Sequence, residues 1–172
     1  MIKKLTIPVD HGNRNMKTTH FLFTTGLSST DRKPAGREDF LQTDGKFYVL
    51  SDKRIPYQRD KTQDERFSIL TRFAIAKELE RTGQVTEEDV VQVSLPIGVP
   101  PKHYAELAER YREYFLGDGK VQELVYNGKT YHTCIRDVAV YPQAYAAMMT
   151  EGEKIRQIPK AVGIDIGGFT SD

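Results

Sequence analysis

The sequence of 172 residues lacks features that would each point to a definite class of protein. It contains one cysteine, Cys134, so no internal disulfide can form, and a reducing compartment such as the cytosol is favoured. No stretch approaches the roughly eighteen apolar residues of a membrane span. The first apolar run ends at Asp10, which is too short for a signal peptide. We therefore expect a cytoplasmic protein with no membrane partner.

A surplus of charge of one sign is also missing. Lys and Arg number 25 and Asp and Glu number 24, for a formal net charge of +1. A general binder of nucleic acid or anionic membrane would carry a strongly basic field, so the sequence argues against both. The histidines show no spacing typical of metal ligands. The apolar content of 38% fits one globular domain, or two small ones, with a real core.

The apolar pattern predicts an α/β protein. In chain order, the predicted elements are strands at 4–9, 18–25, 46–50 and 89–95, helices at 62–82 and 101–116, strands at 121–126 and 129–135, a helix at 143–150 and a strand at 161–164. The first two strands are expected to pair as a hairpin. This order predicts a five-stranded mixed sheet with that hairpin at or beside its centre and helices on its faces.

Local signals support several of these boundaries. Thr62 with Glu65 three residues later is typical of a capping box at a helix start, and Gly83 is typical of a helix end. The pair Asn127-Gly128 favours a type I′ hairpin turn. Pro142 is expected to stop a strand and to place the next residue at the start of a helix.

Two places in the sequence repeat one plan, in which a strand ends at an aspartate and glycines follow. Asp10 and Gly12 form the first unit, and Asp165 with Gly167 and Gly168 forms the second. A carboxylate at the end of a buried strand can hold a hydrated metal ion. Glycines after it let backbone N–H groups approach a phosphate, because no Cβ intervenes. The pattern raises the hypothesis that both units hold one nucleotide.

Three motifs in this order resemble those of actin-fold ATPases. Asp10-His11-Gly12 with Lys17 resembles their first phosphate loop, and Asp165 to Thr170 resembles their second. Between them, Val138 to Ala144 resembles the connecting segment that carries the residue orienting the attacking water. The spacing of Gln143 and Asp165 resembles the bacterial plasmid-segregation branch, the ParM/StbA-like proteins.

The resemblance implies an actin-like ATPase (ribonuclease H-like) fold, a mixed sheet with flanking helices. Residues 1–158 would form the N-terminal lobe, with a small excursion at about 26–60. Residues 159–172 would supply the first strand and phosphate turn of a second lobe, so we expect the chain to be the first part of a longer protein. Asn13 stands where the family often has Ser, and Phe169 replaces a usual Thr.

The resemblance also implies a function, namely binding of Mg²⁺ and ATP (or GTP), self-assembly into filaments, and hydrolysis during plasmid segregation. Plasmid DNA would be reached only through an adaptor protein. Asp10 and Asp165 would hold the metal, while Gln143 and Asp165 would be catalytic, with Gln143 orienting the attacking water. The residues expected at the nucleotide phosphates are Gly12, Asn13, Arg14, Asn15, Lys17, Gly167, Gly168 and Thr170.

Other interpretations remain open. A sugar or acetate kinase shares the fold and both phosphate loops, but it usually places an acid near the acceptor, whereas Gln143 favours water. An Hsp70-like lobe is disfavoured by the short region between Thr25 and Lys46. The chain could also act as a non-catalytic binding fragment. Taken singly, Asp10 could be a turn acid, Lys17 a surface lysine and Gln143 a polar residue in a helix's first turn.

Overall fold

The computed structural model describes residues 1–36, 39–160 and 162–164. Its strands are β1 (Ile2–Thr6), β2 (Asp10–His11), β3 (Asn15–Lys17), β4 (Leu22–Thr24), β5 (Leu27–Thr30), β6 (Phe40–Thr43), β7 (Lys46–Leu50), β8 (Val90–Val99), β9 (Gln122–Tyr126) and β10 (Lys129–Pro142). Its helices are α1 (Arg66–Thr82), α2 (Tyr104–Leu116), α3 (Tyr145–Thr150) and α4 (Gly152–Ile155). Short 3₁₀ turns at Lys61–Gln63 and Pro101–His103 lead into α1 and α2.

The strands form a seven-stranded mixed sheet and a small three-stranded one. The large sheet has the order β1-β8-β10-β9-β6-β7-β5, in which β1, β8 and β10 are parallel and the remaining pairs are antiparallel. The small sheet has the order β2-β3-β4 and is antiparallel. The mixed sheet with flanking helices confirms the predicted fold class.

The predicted five-stranded sheet built on a hairpin of 4–9 with 18–25 is wrong. Residues 2–6 pair in parallel with β8, at an end of the sheet order, and 18–25 contains only the short strand β4, which lies in the small sheet. Alternation of apolar residues predicts a strand but not its partner. Between 25 and 46, where the sequence predicts no strand, the structure contains β5 and β6.

Strand β8 runs past the predicted end at Pro96. The carbonyl oxygen of Pro96 accepts from the Val9 N–H at 2.9 Å, on the side of β8 that faces β1. The N and C=O groups of one residue in a strand point to the same side. The Pro96 nitrogen therefore faces away from β10. Its lack of a hydrogen removes no hydrogen bond between β8 and β10, and β8 continues to Val99.

Helix α1 starts later than predicted. Asp60, not Thr62, caps the preceding 3₁₀ turn by accepting the Thr62 N–H at 3.1 Å. The first helical residue, Arg66, donates its N–H to Asp64 Oδ1 at 3.0 Å, and Glu65 makes no capping bond. The predicted end is confirmed, because Gly83 has a φ of 62°.

Helices α1 and α2 pack beside each other against the sheet. Tyr114 of α2 accepts the Ser68 N–H at 3.0 Å and donates to the Asp64 carbonyl at 2.7 Å. Alternate residues of β8 are buried in the core, namely Val91, Val93, Leu95, Ile97 and Val99. On α1 the predicted apolar face is confirmed, since Phe67, Leu70 and Ala74 are fully buried.

The second predicted hairpin is confirmed. Asn127 and Gly128 have φ values of 51° and 86°, the left-handed conformation that a type I′ turn requires at both positions. Strand β10 continues beyond the predicted strand at 129–135 and ends at Pro142, where the sequence predicts a stop.

The chain after β10 differs from the prediction. Gln143 precedes α3 rather than opening it, because Ala144 turns the backbone with a φ of 62°. Between the predicted helix at 143–150 and the predicted strand at 161–164, the structure contains a further short helix, α4. Residues 162–164 are not in a strand, so that part of the prediction is wrong. The predicted site residues Asp165, Gly167, Gly168 and Thr170 lie outside the described residues.

Within the described part of the chain, no helix is long and apolar enough to cross a membrane.

Candidate nucleotide-binding site

A cavity of about 710 Å³ opens beyond the carboxyl ends of β8 and β10. Strand β8 contributes Ile97 and Gly98 to its wall, the end of β10 contributes 141–142 and Gln143 follows, and the small sheet contributes Asp10 and Lys17. Parallel strands present their carboxyl ends at one edge of a sheet, which is where ligands bind in open α/β folds. The fold therefore places the cavity at a favoured ligand position.

Asp10, Lys17 and Gln143 meet at this cavity, although Gln143 lies 133 positions from Asp10 in the sequence. Gln143 Nε2 donates to Asp10 Oδ1 at 3.2 Å, and Lys17 Nζ donates to Asp10 Oδ2 at 3.1 Å. Asp10 and Lys17 are directly paired across β2 and β3. The Asp10 side chain is still 39% exposed, so a ligand in the cavity can reach it.

Gln143 is held in place by its backbone and by a glycine. Its N–H donates to the Val99 carbonyl at 2.8 Å, which continues the pairing of β8 and β10. A Cβ on Gly98 would lie 2.8 Å from Gln143 Cγ, so the amide side chain packs where only glycine leaves room. The sequence analysis gives Gly98 no role in the site. The available signal was a glycine near a β-branched strand, which often marks a close approach.

The turn from Gly12 to Asn15 lies next to Asp10 but does not line the cavity. A Cβ on Gly12 would lie 2.4 Å from the Asn15 carbonyl oxygen, so the turn is tight. Thr25 holds the turn through two hydrogen bonds. Its Oγ1 donates to the Gly12 carbonyl at 2.6 Å, and its N–H donates to the Arg14 carbonyl at 3.1 Å. Asn13 Oδ1 accepts the Gln58 N–H at 3.3 Å. The predicted phosphate contacts of Gly12, Asn13, Arg14 and Asn15 stay predictions.

His11 anchors the same turn to the helices. Its ring stacks on Phe115 with 4.4 Å between centroids, and its Nε2 lies 2.7 Å from Thr71 Oγ1. Because the Thr71 hydroxyl donates to the Phe67 carbonyl, Nε2 must carry the proton and donate to Thr71. Burial, together with the charge of Lys61, lowers the pKa of His11 to about 3. His11 is therefore neutral at pH 7 and serves to fix the backbone next to Asp10.

The donor set fits a hydrated magnesium ion better than a dehydrated metal. Among the described residues, no group of three or more His, Cys, Asp or Glu side chains could hold a metal by themselves. Mg²⁺ keeps several waters and usually takes one or two carboxylates together with phosphate oxygens. The partly exposed carboxylate of Asp10 at the cavity fits this requirement for one ligand.

The chain was compared with known families and structures. Residues 8–145 match the family described as actin like proteins N terminal domain. No curated protein sequence matches. A ParM filament from Clostridium botulinum has 15% identity and a TM-score of 0.66, with 96% of this chain and 56% of that chain covered.

Two further structures share the fold. An archaeal actin homolog in complex with ADP has 16% identity and a TM-score of 0.60, with 93% of this chain and 50% of that chain covered. An AlfA filament bound to AMPPNP has 14% identity and a TM-score of 0.62, with 84% of this chain and 56% of that chain covered. The chain thus spans about half the length of these proteins. By its family match and its fold, the chain belongs to the actin-like proteins, with their N-terminal domain at residues 8–145.

Proposed function

We propose that the chain is the N-terminal lobe of a filament-forming actin-like ATPase that binds Mg²⁺ and ATP or GTP. The observation that carries the proposal is the placement of Asp10 between Lys17 and Gln143 at the mouth of the cavity. A carboxylate, an ammonium and a neutral amide suit phosphoryl transfer, in which the protein mainly positions groups and balances charge.

Each of these residues has a distinct role in the proposal. Asp10 would hold the hydrated Mg²⁺, which neutralises phosphate charge when bound. Lys17 supplies a point charge that can move from Asp10 to a phosphate oxygen. Gln143 cannot act as a strong base, but its amide can orient a water molecule. Asp165, Gly167, Gly168 and Thr170 would approach the same nucleotide from the second phosphate turn.

An amide rather than an acid next to Asp10 favours water as the phosphate acceptor. A sugar or acetate kinase needs a base close to the acceptor oxygen. The described groups bound directly to Asp10 are the Gln143 amide and the Lys17 ammonium, neither of which is a carboxylate, and this supports hydrolysis over transfer to a substrate.

Assembly and nucleotide use are supported by the proteins that share the fold. ParM and AlfA were solved as filaments, AlfA was bound to AMPPNP, and the archaeal homolog was bound to ADP. We extend these properties to this chain and propose self-assembly in the cytoplasm during plasmid segregation. The nearly balanced charge supports contact with plasmid DNA through an adaptor protein rather than directly.

The proposal is tested in the complete protein that carries this lobe. Nucleotide affinity by titration and phosphate release are measured for wild type, Gln143→Ala and Lys17→Ala. Lys17→Ala should weaken Mg-ATP binding. Gln143→Ala should keep its affinity and slow hydrolysis on the order of ten- to a thousandfold, since it removes an interaction made mainly in the transition state.

Gln122→Ala serves as a matched control, because Gln122 is an exposed glutamine on β9 outside the cavity lining. If Gln143→Ala abolished binding but left the rate per bound nucleotide unchanged, Gln143 would be a structural residue. A complete wild-type protein that bound neither Mg-ATP nor Mg-GTP would overturn the proposed function. The 172-residue chain alone should bind Mg-ATP weakly, since it spans about half of such proteins.

A further inference from the structure

Lys61 is a buried lysine with no ion pair among the residues that the structure describes. Its residue surface is 4% exposed. The two carboxylates that are similarly buried both have direct partners: Glu78 accepts from Thr18 and His20, and Asp89 accepts from Lys3 and Thr86. The ammonium of Lys61 thus differs from the other buried charges that the described residues contain.

The backbone around Lys61 is fixed, which holds its side chain inside. The Asp60 carboxylate caps the turn and pairs with Arg110 of α2. The Lys61 N–H donates to the Tyr111 hydroxyl at 3.2 Å, within the buried interface with α2. From this position Lys61 Nζ lies 5.7 Å from the centroid of the Phe67 ring, which is fully buried.

Lys61 is mostly protonated at neutral pH although its surroundings disfavour the charged form. Burial lowers the pKa of Lys61 to about 8, and the nearby carboxylate of Asp10 acts in the opposite direction. A pKa above 7 keeps most of the population protonated at neutral pH. Burial of an ammonium without an ion pair lowers the stability of a fold, and the contact with the Phe67 ring offsets only part of that loss.

The charge of Lys61 acts on strand β2, whose Asp10 lines the cavity. Lys61 Nζ lies over the Phe67 ring, and the Phe67 carbonyl accepts from the Thr71 hydroxyl. Thr71 Oγ1 in turn lies 2.7 Å from Nε2 of His11, the residue after Asp10. In agreement with this placement, the charge of Lys61 interacts with Asp10 and helps to lower the pKa of His11.

The two oxygens of Asp10 are bound directly by Gln143 and Lys17. Lys61 therefore adds a further positive charge, from the protein interior, to the place where nucleotide phosphates would lie.

We propose that Lys61 is a positioning residue of the nucleotide site, with a buried charge that becomes balanced when the phosphates of a nucleotide bind beside Asp10. This inference rests on the proposed nucleotide binding and adds a residue to it. The charge lowers the stability of the ligand-free protein and strengthens binding, as is common where stability and function conflict.

The test compares Lys61→Met with wild type in the complete protein, since methionine keeps the apolar stem and removes the charge. Thermal unfolding without ligand and the affinities for Mg-AMPPNP and Mg-ADP are measured. We expect the ligand-free melting temperature to stay equal or rise, because the variant removes a buried charge that has no ion-pair partner among the described residues. Affinity for Mg-AMPPNP should fall about tenfold or more, and affinity for Mg-ADP should fall less because it carries fewer phosphate charges.

Lys129→Met is the matched control, since Lys129 also lies over an aromatic ring, Tyr131, but in the second hairpin and outside the cavity lining. It should change neither quantity. Unchanged affinity in Lys61→Met, equal losses for both nucleotides, or a clear drop in ligand-free melting temperature would each overturn the role of Lys61. A wild-type protein that fails to bind Mg-AMPPNP would overturn the proposed function itself.

Discussion

The parallel strands β1, β8 and β10 have a buried charged cluster near their amino ends and a more open one beyond their carboxyl ends. At the amino end, Asp89 is 4% exposed at its side chain and accepts from the Thr86 N–H and hydroxyl, each at 2.9 Å. Lys3 Nζ at 2.9 Å and the amino terminus at 3.2 Å complete its partners. At the carboxyl end, Asp10 has two partners among the residues that the structure describes, and its side chain is 39% exposed.

The two clusters differ in how completely their charges are paired, which agrees with a structural role for the first and with the proposed ligand site at the second. Asp89 has partners enough to satisfy its lone pairs, so the cluster stabilises the connection between β1 and the start of β8 without further help. Asp10 retains exposed surface in a cavity, and Lys61 behind it remains without an ion pair among the described residues. Incomplete pairing of charges around a cavity is typical of a binding site.

The largest expected effect comes from removing each carboxylate charge in turn. In the complete protein, Asp10→Asn should reduce Mg-dependent nucleotide hydrolysis on the order of a hundredfold or more, the scale of a preorganised charge-stabilising group. Its melting temperature should change little, because the side chain is half exposed. Asp89→Asn should do the reverse and lower the melting temperature while leaving the rate per folded molecule unchanged. Phosphate release and thermal unfolding of both variants check this.

The different roles assigned to Asp10 and Asp89 would be contradicted if Asp10→Asn and Asp89→Asn had the same effects. A marked loss of stability in Asp10→Asn would make Asp10 a structural turn acid, the interpretation left open by the sequence. A loss of hydrolysis in fully folded Asp89→Asn would mean that the amino-end cluster also acts on the site.

A smaller effect is expected at Gly98, where a methyl group tests how Gln143 is positioned. In Gly98→Ala the new Cβ would lie 2.8 Å from Gln143 Cγ, so the amide must move away from Asp10. Hydrolysis should fall about tenfold, with nucleotide affinity little changed, because the proposed role of Gln143 is exerted mainly in the transition state. Gly152→Ala is the matched control, as nothing lies within 4 Å of a Cβ there. Equal rates for the two variants would show that the packing of Gln143 on Gly98 is unimportant.

The fold could be predicted where local signals decide the structure. Gly83 ends α1 and Asn127-Gly128 makes the second hairpin, because each needs only a backbone conformation that these residues adopt easily. The pairing of β1 with β8 could not be predicted, since it joins segments that are distant in sequence. The end of β8 was predicted wrongly at Pro96. A strand accepts a proline where the proline nitrogen does not have to donate a ladder hydrogen bond, and the sequence alone does not show which neighbouring strand that nitrogen faces.

The candidate site was predictable to a similar extent. Asp10, Lys17 and Gln143 were identified through the order of motifs and a family resemblance, and the structure brings them together. Gly98 and Lys61 were missed in these roles because their importance depends on what packs against them. A lysine after Asp60 reads as a surface residue until the turn fixes it under α2.

The smallest expected effect sharpens the comparison at low pH. The pKa of Asp89 is held below its ordinary value, mainly by the Thr86 N–H and then by Lys3. A carboxyl group whose pKa is lowered by folding contributes stability above its unfolded pKa of about 3.9, and that stability is lost as the pH falls toward the folded pKa. Urea midpoints of wild type and Asp89→Asn should therefore differ by a constant amount from pH 7 to 5. The difference should shrink below about pH 4. There the unfolded wild type binds a proton at Asp89 more readily than the folded wild type does, and the amide variant has no such proton to bind. A difference that stayed the same at pH 3 would mean that Asp89 stabilises the strand ends through its shape and hydrogen-bond geometry rather than its charge.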